Sequence, residues 1–158
     1  MTLEPSAQRV QDELRRRGSP AVVRQLERST RSAADAAQAV GCEIGQIAKS
    51  LVFQGARSHS AILVITSGAN RVDEAAVGAR IGEGLKRAGA DFVRDQTGFA
   101  IGGIPPLGHS ASLTTYFDED LLNYASIWAA AGTPNAVFEI DPHELLRLCR
   151  AKTISVRG

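Results

Sequence analysis

The sequence predicts a single α+β domain over residues 1–158, with a mixed, strongly curved and barrel-like β-sheet flanked by helices. Three observations support this fold class. The length of 158 residues suits one domain, large enough to bury roughly 70% of the surface of its unfolded chain. Apolar runs of strand length are mixed with segments of helical spacing. These segments do not follow the strict strand–helix–strand order that indicates a parallel sheet.

In the first half of the chain, apolar spacing and helix-terminal residues define the elements. Ser6, Val10 and Leu14 have helical spacing and predict a first helix that ends near Gly18. The next elements are a short strand over 22–26, an alanine-rich helix over 33–40 with a capping pattern at Ser32 and Asp35 and a stop at Gly41, and a helical turn over 43–48. Apolar strands over 49–54 and 61–66, joined by a turn at 55–58, predict a hairpin.

The second half begins with two helices and then adds strands. The predicted elements are helices over 70–81 and 90–96 that stop at Gly82 and Gly98, strands over 113–117, 126–131 and 136–140, a helical turn over 118–122, and a last helix to about residue 150. Pro142 lies at the first position of that last helix, where a missing N–H donor does no harm. Carboxylates at 118–120 are interpreted as helix caps.

Composition excludes several classes of protein. The apolar and charged fractions of 44% and 22% are ordinary for a soluble globular protein. There is no apolar run of the roughly 20 residues that span a bilayer, and the polar N-terminus does not resemble a targeting segment. Cys42 and Cys149 lack the spacing of a metal site or a disulfide framework and predict reduced thiols. We therefore expect a cytoplasmic protein that has no membrane partner.

The charge distribution leaves two interpretations open. The net charge of +1 argues against a dedicated nucleic-acid binder, and no DNA partner is expected. However, seven arginines lie between Arg9 and Arg31, against three acidic residues. This segment is either a contact for a phosphate backbone or a solvated helix face, with Arg15, Arg16 and Arg17 near the helix C-terminus. Eight aromatic residues are too few for a base-stacking surface.

The segment from Gly98 to His109 is the most unusual part of the sequence. It contains four glycines and two prolines between apolar segments, rather than in a polar linker. Glycine allows positive φ and close backbone approach, whereas proline fixes φ and lacks an N–H donor. Such a segment either turns a tight corner or holds a ligand against bare peptide groups.

Lysine is rare in the chain, and one of the three lysines has a suggestive position. Lys49 begins the apolar strand that contains Leu51 and Phe53, and the alternation of a strand places all three on one face. An ammonium beside an apolar face gains from a negative partner such as a phosphate or an oxyanion. The alternative is a lysine whose charged end extends into solvent.

Other candidates for chemistry are weak. His109 closes the glycine-rich segment, while His59 and His143 are expected in solvent. Ser67 ends a strand and is compatible with either a site or a plain turn. No phosphate-binding loop, dinucleotide fingerprint, nucleophile elbow or metal-binding motif occurs, and no cofactor or metal is expected.

Three motifs taken together resemble the YbaK family, also known as the prolyl-tRNA synthetase-associated editing domain, and most of all its free-standing ProXp-type deacylases. They are Gln46–Phe53 around Lys49, Gly102–His109, and Ala131–Asn135. The resemblance covers nearly the whole chain and implies the fold of that family. It also implies hydrolysis of a wrongly attached amino acid from the 3′ end of a tRNA, usually proline tRNA.

The resemblance also implies roles for individual residues. Lys49 matches the essential lysine of the family, and Gly102 and Gly103 match a glycine pair whose backbone approaches the substrate ester. The substrate-binding residues expected on this basis are Ser67, Gly102, Gly103, Ile104, Pro105, Pro106, His109, Gly132 and Thr133. Pro105 departs from many relatives, which have serine or another small residue there, and leaves the amino-acid specificity open.

Three functional hypotheses follow. The first is an aminoacyl-tRNA deacylase that removes alanine or another small non-cognate amino acid from proline tRNA, with prolyl-tRNA synthetase as an associated partner. The second is a module that binds a nucleotide or tRNA end without hydrolysis. The third is a synthetase adaptor that uses the arginine-rich first helix. Lys49 together with the glycine pair favours the enzyme.

Overall fold

The computed structural model describes residues 2–30 and 32–158 of the chain. These residues contain five α-helices and an eight-stranded mixed sheet. The helices are α1 (Pro5–Arg16), α2 (Ala33–Val40), α3 (Glu74–Ile81), α4 (Ala90–Thr97) and α5 (Pro142–Cys149). The strands are β1 (Val23–Gln25), β2 (Ile47–Gly55), β3 (Ala61–Ser67), β4 (Leu85–Arg87), β5 (Thr114–Asp118), β6 (Ile127–Ala130), β7 (Ala136–Ile140) and β8 (Lys152–Ile154). Two 3-10 turns, Ile44–Gln46 and Glu119–Asn123, precede β2 and β6. The predicted α+β fold class is confirmed.

The sheet has the strand order β1-β7-β6-β2-β3-β5-β8, and β4 pairs with β2 beside this path. Strands β2 and β3 form the predicted antiparallel hairpin, while the β3–β5, β5–β8 and β2–β6 pairs are parallel. Strands β1 and β8 are the two ends of this order, and the barrel-like curvature stays a prediction.

Packing on both faces of the sheet explains why the first five residues of β3, Ala61–Ile65, are all apolar. All seven of its residues are buried, as expected for a strand covered on both sides. Leu63 and Ile65 belong to the main core, in which α1 and α5 also pack. Ile62 and Val64 point to the other face and pack with Val77 of α3. Helix α2 covers a third cluster around Trp128.

One edge of β2 is paired only at its two ends, and the unpaired middle of this edge determines where the cleft described below lies. Strand β3 pairs with β2 along residues 48–54. On the opposite edge, β6 pairs only with Ile47 and Ala48, and β4 only with Phe53, Gln54 and Gly55. Neither partner reaches residues 49–52, so the backbone of this segment has an open edge. Open strand edges offer unpaired N–H and C=O groups to a ligand.

Several predicted boundaries need correction. Helix α3 begins at Glu74 instead of residue 70, because the Asp73 side chain accepts a hydrogen bond from the Ala76 N–H and caps it there. The predicted helical turn over 43–48 is shorter, and β2 already begins at Ile47. Strands β4 and β8 were not predicted.

No helix among the described residues is long and apolar enough to cross a membrane. The same residues contain no cluster of three or more His, Cys, Asp or Glu side chains that could hold a metal ion.

Candidate active site

A cleft of about 450 Å³ lies at the open edge of β2. Its floor is the open segment of β2 around Lys49, and the segment Ile101–Ile104 forms one wall. The other walls come from α2, β4, β6 and the beginnings of α3 and α4. Their lining residues include Ala33, Ala36, Glu74, Arg87, Val93, Trp128 and Ala129. The cleft is therefore largely apolar, with few charged groups.

Lys49 is exposed and lies on the floor of this cleft. In the register of the hairpin it lies opposite Thr66, two residues from Leu51 on the same strand face. Its ammonium forms no hydrogen bond or ion pair with any residue in the described part of the chain. A cation that is flanked by apolar walls and lacks an internal partner is suited to binding an anionic ligand group.

Gly102 and Gly103 line the cleft on the wall beside Lys49. Gly102 has φ +107°, a conformation that side chains rarely adopt, and a Cβ there would meet open space. Gly103 packs so closely on Thr133 that a Cβ would lie 2.6 Å from its carbonyl carbon. Neither glycine amide donates a hydrogen bond within residues 2–30 and 32–158, so neither N–H group has an acceptor in this part of the chain.

Gly132 and Thr133 support the glycine pair from behind instead of lining the cleft. The Gly132 N–H donates to the Gly103 carbonyl oxygen at 2.8 Å, which fixes the orientation of that peptide. Gly132 itself has φ +93°, and a Cβ there would meet the Ser6 carbonyl oxygen at 2.7 Å. Contact of either residue with a substrate stays a prediction.

Pro105, Pro106 and His109 are not among the residues that line the cleft. Pro105 and Pro106 are buried, and the ring Nε2 of His109 lies 2.7 Å from the Pro105 carbonyl oxygen. Because a carbonyl only accepts, this nitrogen carries the proton. Burial lowers the pKa of His109 below its usual value. Pro106 and His109 line a second groove, separate from the cleft, and their predicted contact with substrate stays a prediction.

Ser67 is buried at the end of β3 and is not one of the residues that line the cleft. Its hydroxyl donates to the Gly45 carbonyl oxygen at 2.8 Å, and its N–H donates to the Asp118 carboxylate at 2.9 Å. Asp118 caps the 3-10 turn that follows it, as predicted, by accepting from the Asp120 N–H. These contacts hold Ser67 in the fold, and its predicted contact with substrate stays a prediction.

Four residues of the cleft were missed by reasoning from sequence. Arg87 lies directly opposite Phe53 in the β2–β4 pairing and adds a second cation. Glu74 begins α3, Trp128 lies in β6, and the Ser50 hydroxyl is buried without a hydrogen-bond partner among the described residues. Only the apolar context of Trp128 signalled burial, because the other three reach the cleft through tertiary packing of strands and helices that the sequence pattern does not show.

Together these groups can bind and polarise an ester. The two free glycine amides provide donors for a carbonyl oxygen or an oxyanion. Lys49 and Arg87 provide positive charge for a phosphate or a developing negative charge. The apolar walls limit water and accommodate a small side chain.

Known proteins resemble this chain in both sequence and structure. The model of the family described as the aminoacyl-tRNA editing domain matches residues 27–148. A crystal structure described as a candidate trans-editing enzyme for prolyl tRNA synthetase is 49% identical, with a TM-score of 0.93 over 99% of each chain. The uncharacterized protein YwhH of Bacillus subtilis (strain 168) is 30% identical over 123 residues, which is 78% of each chain. EbsC of Enterococcus faecalis V583, described as a candidate Cys-tRNA(Pro)/Cys-tRNA(Cys) deacylase, is 29% identical over 74% of this chain and 71% of that protein.

Proposed function

The chain belongs to the aminoacyl-tRNA editing domain family, and on this premise we propose that it is an enzyme that hydrolyses the ester bond of mischarged aminoacyl-tRNA. The family resemblance drawn from the sequence is thereby confirmed. The proposal assigns all 158 residues to a single editing domain. The main support for it is that Lys49 and the Gly102–Gly103 pair line the same cleft, although Lys49 and Gly102 are 53 positions apart in the sequence.

In the proposed reaction, a water molecule attacks the carbonyl carbon of the aminoacyl ester. The amides of Gly102 and Gly103 donate to the carbonyl oxygen and stabilise the negative charge that it gains in the tetrahedral intermediate. The carbon–oxygen bond to the ribose then breaks, and the proton lost by the attacking water passes to the ribose oxygen as the free amino acid leaves. An ester is already activated, so this step needs no nucleophilic side chain. A neighbouring ribose hydroxyl orients the water.

Lys49 is the proposed catalytic residue. Its ammonium binds the terminal phosphate or ribose of the tRNA and adds positive charge near the oxyanion. Ile104 lines the cleft beside the glycine pair, and Pro105 and Pro106 stiffen the segment that holds the two amides in place. This arrangement makes the loop backbone, rather than its side chains, the source of the oxyanion donors.

We propose that the acyl group is alanine or another small amino acid such as 2-aminobutyrate, carried by proline tRNA. The largely apolar lining of the cleft supports a small side chain without charge. A synthetase distinguishes substrates that differ by one methylene by only ~1–3 kcal/mol, so a separate hydrolytic enzyme improves accuracy. The 49% identical structure supports proline tRNA and an association with prolyl-tRNA synthetase. The description of EbsC makes cysteine the main competing acyl group.

A deacylation panel tests the function. Proline tRNA charged with alanine, 2-aminobutyrate, cysteine, serine, threonine or proline is incubated with the protein, and release of the amino acid is measured. We expect alanine or 2-aminobutyrate to be released and proline to be retained. A protein that hydrolyses none of these esters would contradict the proposal.

The variant Lys49→Ala tests the role of the lysine. We expect kcat/KM to fall by about 10² or more, because one charged stabiliser of the transition state is lost. Lys49→Arg retains the charge and is the matched control. The thermal unfolding midpoint should stay unchanged, since the ammonium is exposed and has no internal partner. Near-normal hydrolysis by Lys49→Ala would overturn the assignment.

A further inference from the structure

A second groove, larger than the cleft, lies between the C-terminal ends of α1 and α5. It has a volume of about 1010 Å³, and the segment 106–113 forms one of its walls. We call it the basic groove, after its charged lining residues Arg16, Arg17, Arg147, Arg150 and Glu13. The proposed reaction uses none of these five residues.

The arginines of the basic groove are of two kinds. Arg16 and Arg17 both bind the Glu13 carboxylate, at 2.6 and 2.8 Å. They lower the pKa of Glu13 to about 2, so this carboxylate stays charged at neutral pH. Its single negative charge offsets one of the two positive charges of Arg16 and Arg17. Arg147 and Arg150, by contrast, are exposed and form no ion pair or side-chain hydrogen bond with another described residue. The groove therefore has a net positive charge, with two free guanidinium groups on one side.

The backbone of Arg150 adopts a conformation that is unfavourable for a residue with a side chain. Arg150 has φ +52°, the left-handed conformation that usually selects glycine at a helix end. Its N–H donates to the Arg147 carbonyl oxygen, which keeps both residues at the same end of α5. Hydroxyl groups of Ser110 and Ser112 add polar donors to the same groove.

The groove and the cleft share one segment of chain. Ile101–Ile104 lines the cleft and Pro106–Leu113 lines the groove. The six peptide steps from Gly103 to His109 can span at most about 20 Å, which is the length of about six phosphates along one strand of a duplex. A nucleic acid whose end lies in the cleft can therefore reach the groove with phosphates close to that end.

We propose that the basic groove binds the phosphate backbone of the tRNA acceptor arm while the aminoacylated end occupies the cleft. The proposal rests on the function proposed above. Free guanidinium groups recognise phosphate oxygens through paired N–H donors, and hydroxyl groups add further hydrogen bonds. Arg147 and Arg150 contribute the contacts, whereas Arg16 and Arg17 are largely satisfied by Glu13.

Salt dependence of tRNA binding tests this proposal. The double variant Arg147→Gln/Arg150→Gln removes two charges without adding repulsion. Affinity for uncharged proline tRNA is measured by fluorescence anisotropy from about 50 to 200 mM salt. Loss of two phosphate contacts should reduce the slope of log affinity against log salt by about 2, so that the wild type loses about tenfold more affinity over this range than the variant.

Controls separate the groove from general charge and from the chemistry. Arg57→Gln removes one exposed charge outside both the cleft and the groove, and should leave the slope unchanged. A short aminoacylated oligonucleotide ending in the 3′ adenosine should be hydrolysed equally by the wild type and the double variant. An unchanged slope in the double variant, or an equal effect of Arg57→Gln, would overturn the proposal. Failure of the proposed function would instead appear as no hydrolysis of any aminoacyl ester by the wild type.

Discussion

At the residue scale, the two adjacent glycines of the cleft are required for different reasons. Gly103 has no room for a Cβ, because Thr133 backbone atoms lie 2.6–2.8 Å from that position. Gly102 has room, but its φ of +107° is unfavourable for any side chain. The first constraint concerns packing and the second concerns backbone conformation, so alanine substitutions distinguish them.

We expect Gly103→Ala to destabilise the fold more than Gly102→Ala. The first change forces the 131–135 segment away from the loop, at a cost of about 1–3 kcal/mol typical of overpacking. The second costs about 1–2 kcal/mol in backbone strain. Urea unfolding of both variants measures the difference. Equal stability of the two variants would mean that the contact between Gly103 and Thr133 is not maintained in solution.

Two buried serine hydroxyls on neighbouring strands provide a further test. The Ser50 Oγ has no hydrogen-bond partner among the described residues, whereas the Ser67 Oγ donates to the Gly45 carbonyl oxygen. Removing an unsatisfied hydroxyl relieves a desolvation cost, while removing a satisfied one loses a hydrogen bond.

We expect Ser50→Ala to raise the free energy of unfolding by up to about 1 kcal/mol and Ser67→Ala to lower it by about 1 kcal/mol. Chemical denaturation of the two variants beside the wild type gives both values. If Ser50→Ala proved the more destabilising change, the hydroxyl would have a partner in solution.

At the scale of elements, long patterned segments could be predicted and short paired ones could not. Residues 33–40 and 136–140 match α2 and β7 to the residue, because caps or apolar patterns specify them locally. Strands β4 and β8 have three residues each, with sequences Leu-Lys-Arg and Lys-Thr-Ile. Such segments become strands only because β2 and β5 offer them a free edge, which is tertiary information.

The candidate site shows the same division. Lys49 and the glycine pair could be selected from residue type and family resemblance, and both line the cleft. Arg87 could not be selected, because its position opposite Phe53 exists only through the β2–β4 pairing. The converse holds for His109, which lies next to the glycine segment in sequence yet lines the basic groove. Proximity along the chain therefore does not show which residues line the cleft, and the contact of His109 with substrate stays a prediction.

At the scale of the whole molecule, one loop joins two sites with different electrostatics. The cleft combines apolar walls with Lys49, Arg87 and Glu74, whereas the basic groove is polar and contains most of its charge on helix ends. The groove also contains two groups whose protonation depends on folding, His109 and Glu13. Both have pKa values below their ordinary ones, so both make stability depend on pH.

Protonation of His109 and then of Glu13 should lower the free energy of unfolding in two successive pH ranges as the solution becomes more acidic. For His109, burial first, then the charges of Arg17 and Arg9, lower the pKa below 6.5, although the hydrogen bond to Pro105 opposes this shift. The unfolded chain binds this proton more readily, so stability falls as pH drops below 6.5. For Glu13, the hydrogen bonds from Arg16 and Arg17 lower the pKa from 4.5 to about 2, and the stability that they provide is lost between those values.

Unfolding midpoints measured from pH 7 to pH 2 separate the two contributions. His109→Gln retains an N–H donor for the Pro105 carbonyl but cannot gain a proton, so we expect it to flatten the curve just below pH 6.5. Glu13→Gln should flatten the curve below pH 4.5 and leave the upper range unchanged. A variant whose curve parallels that of the wild type in its own range would show that the group concerned titrates alike in the folded and unfolded chains.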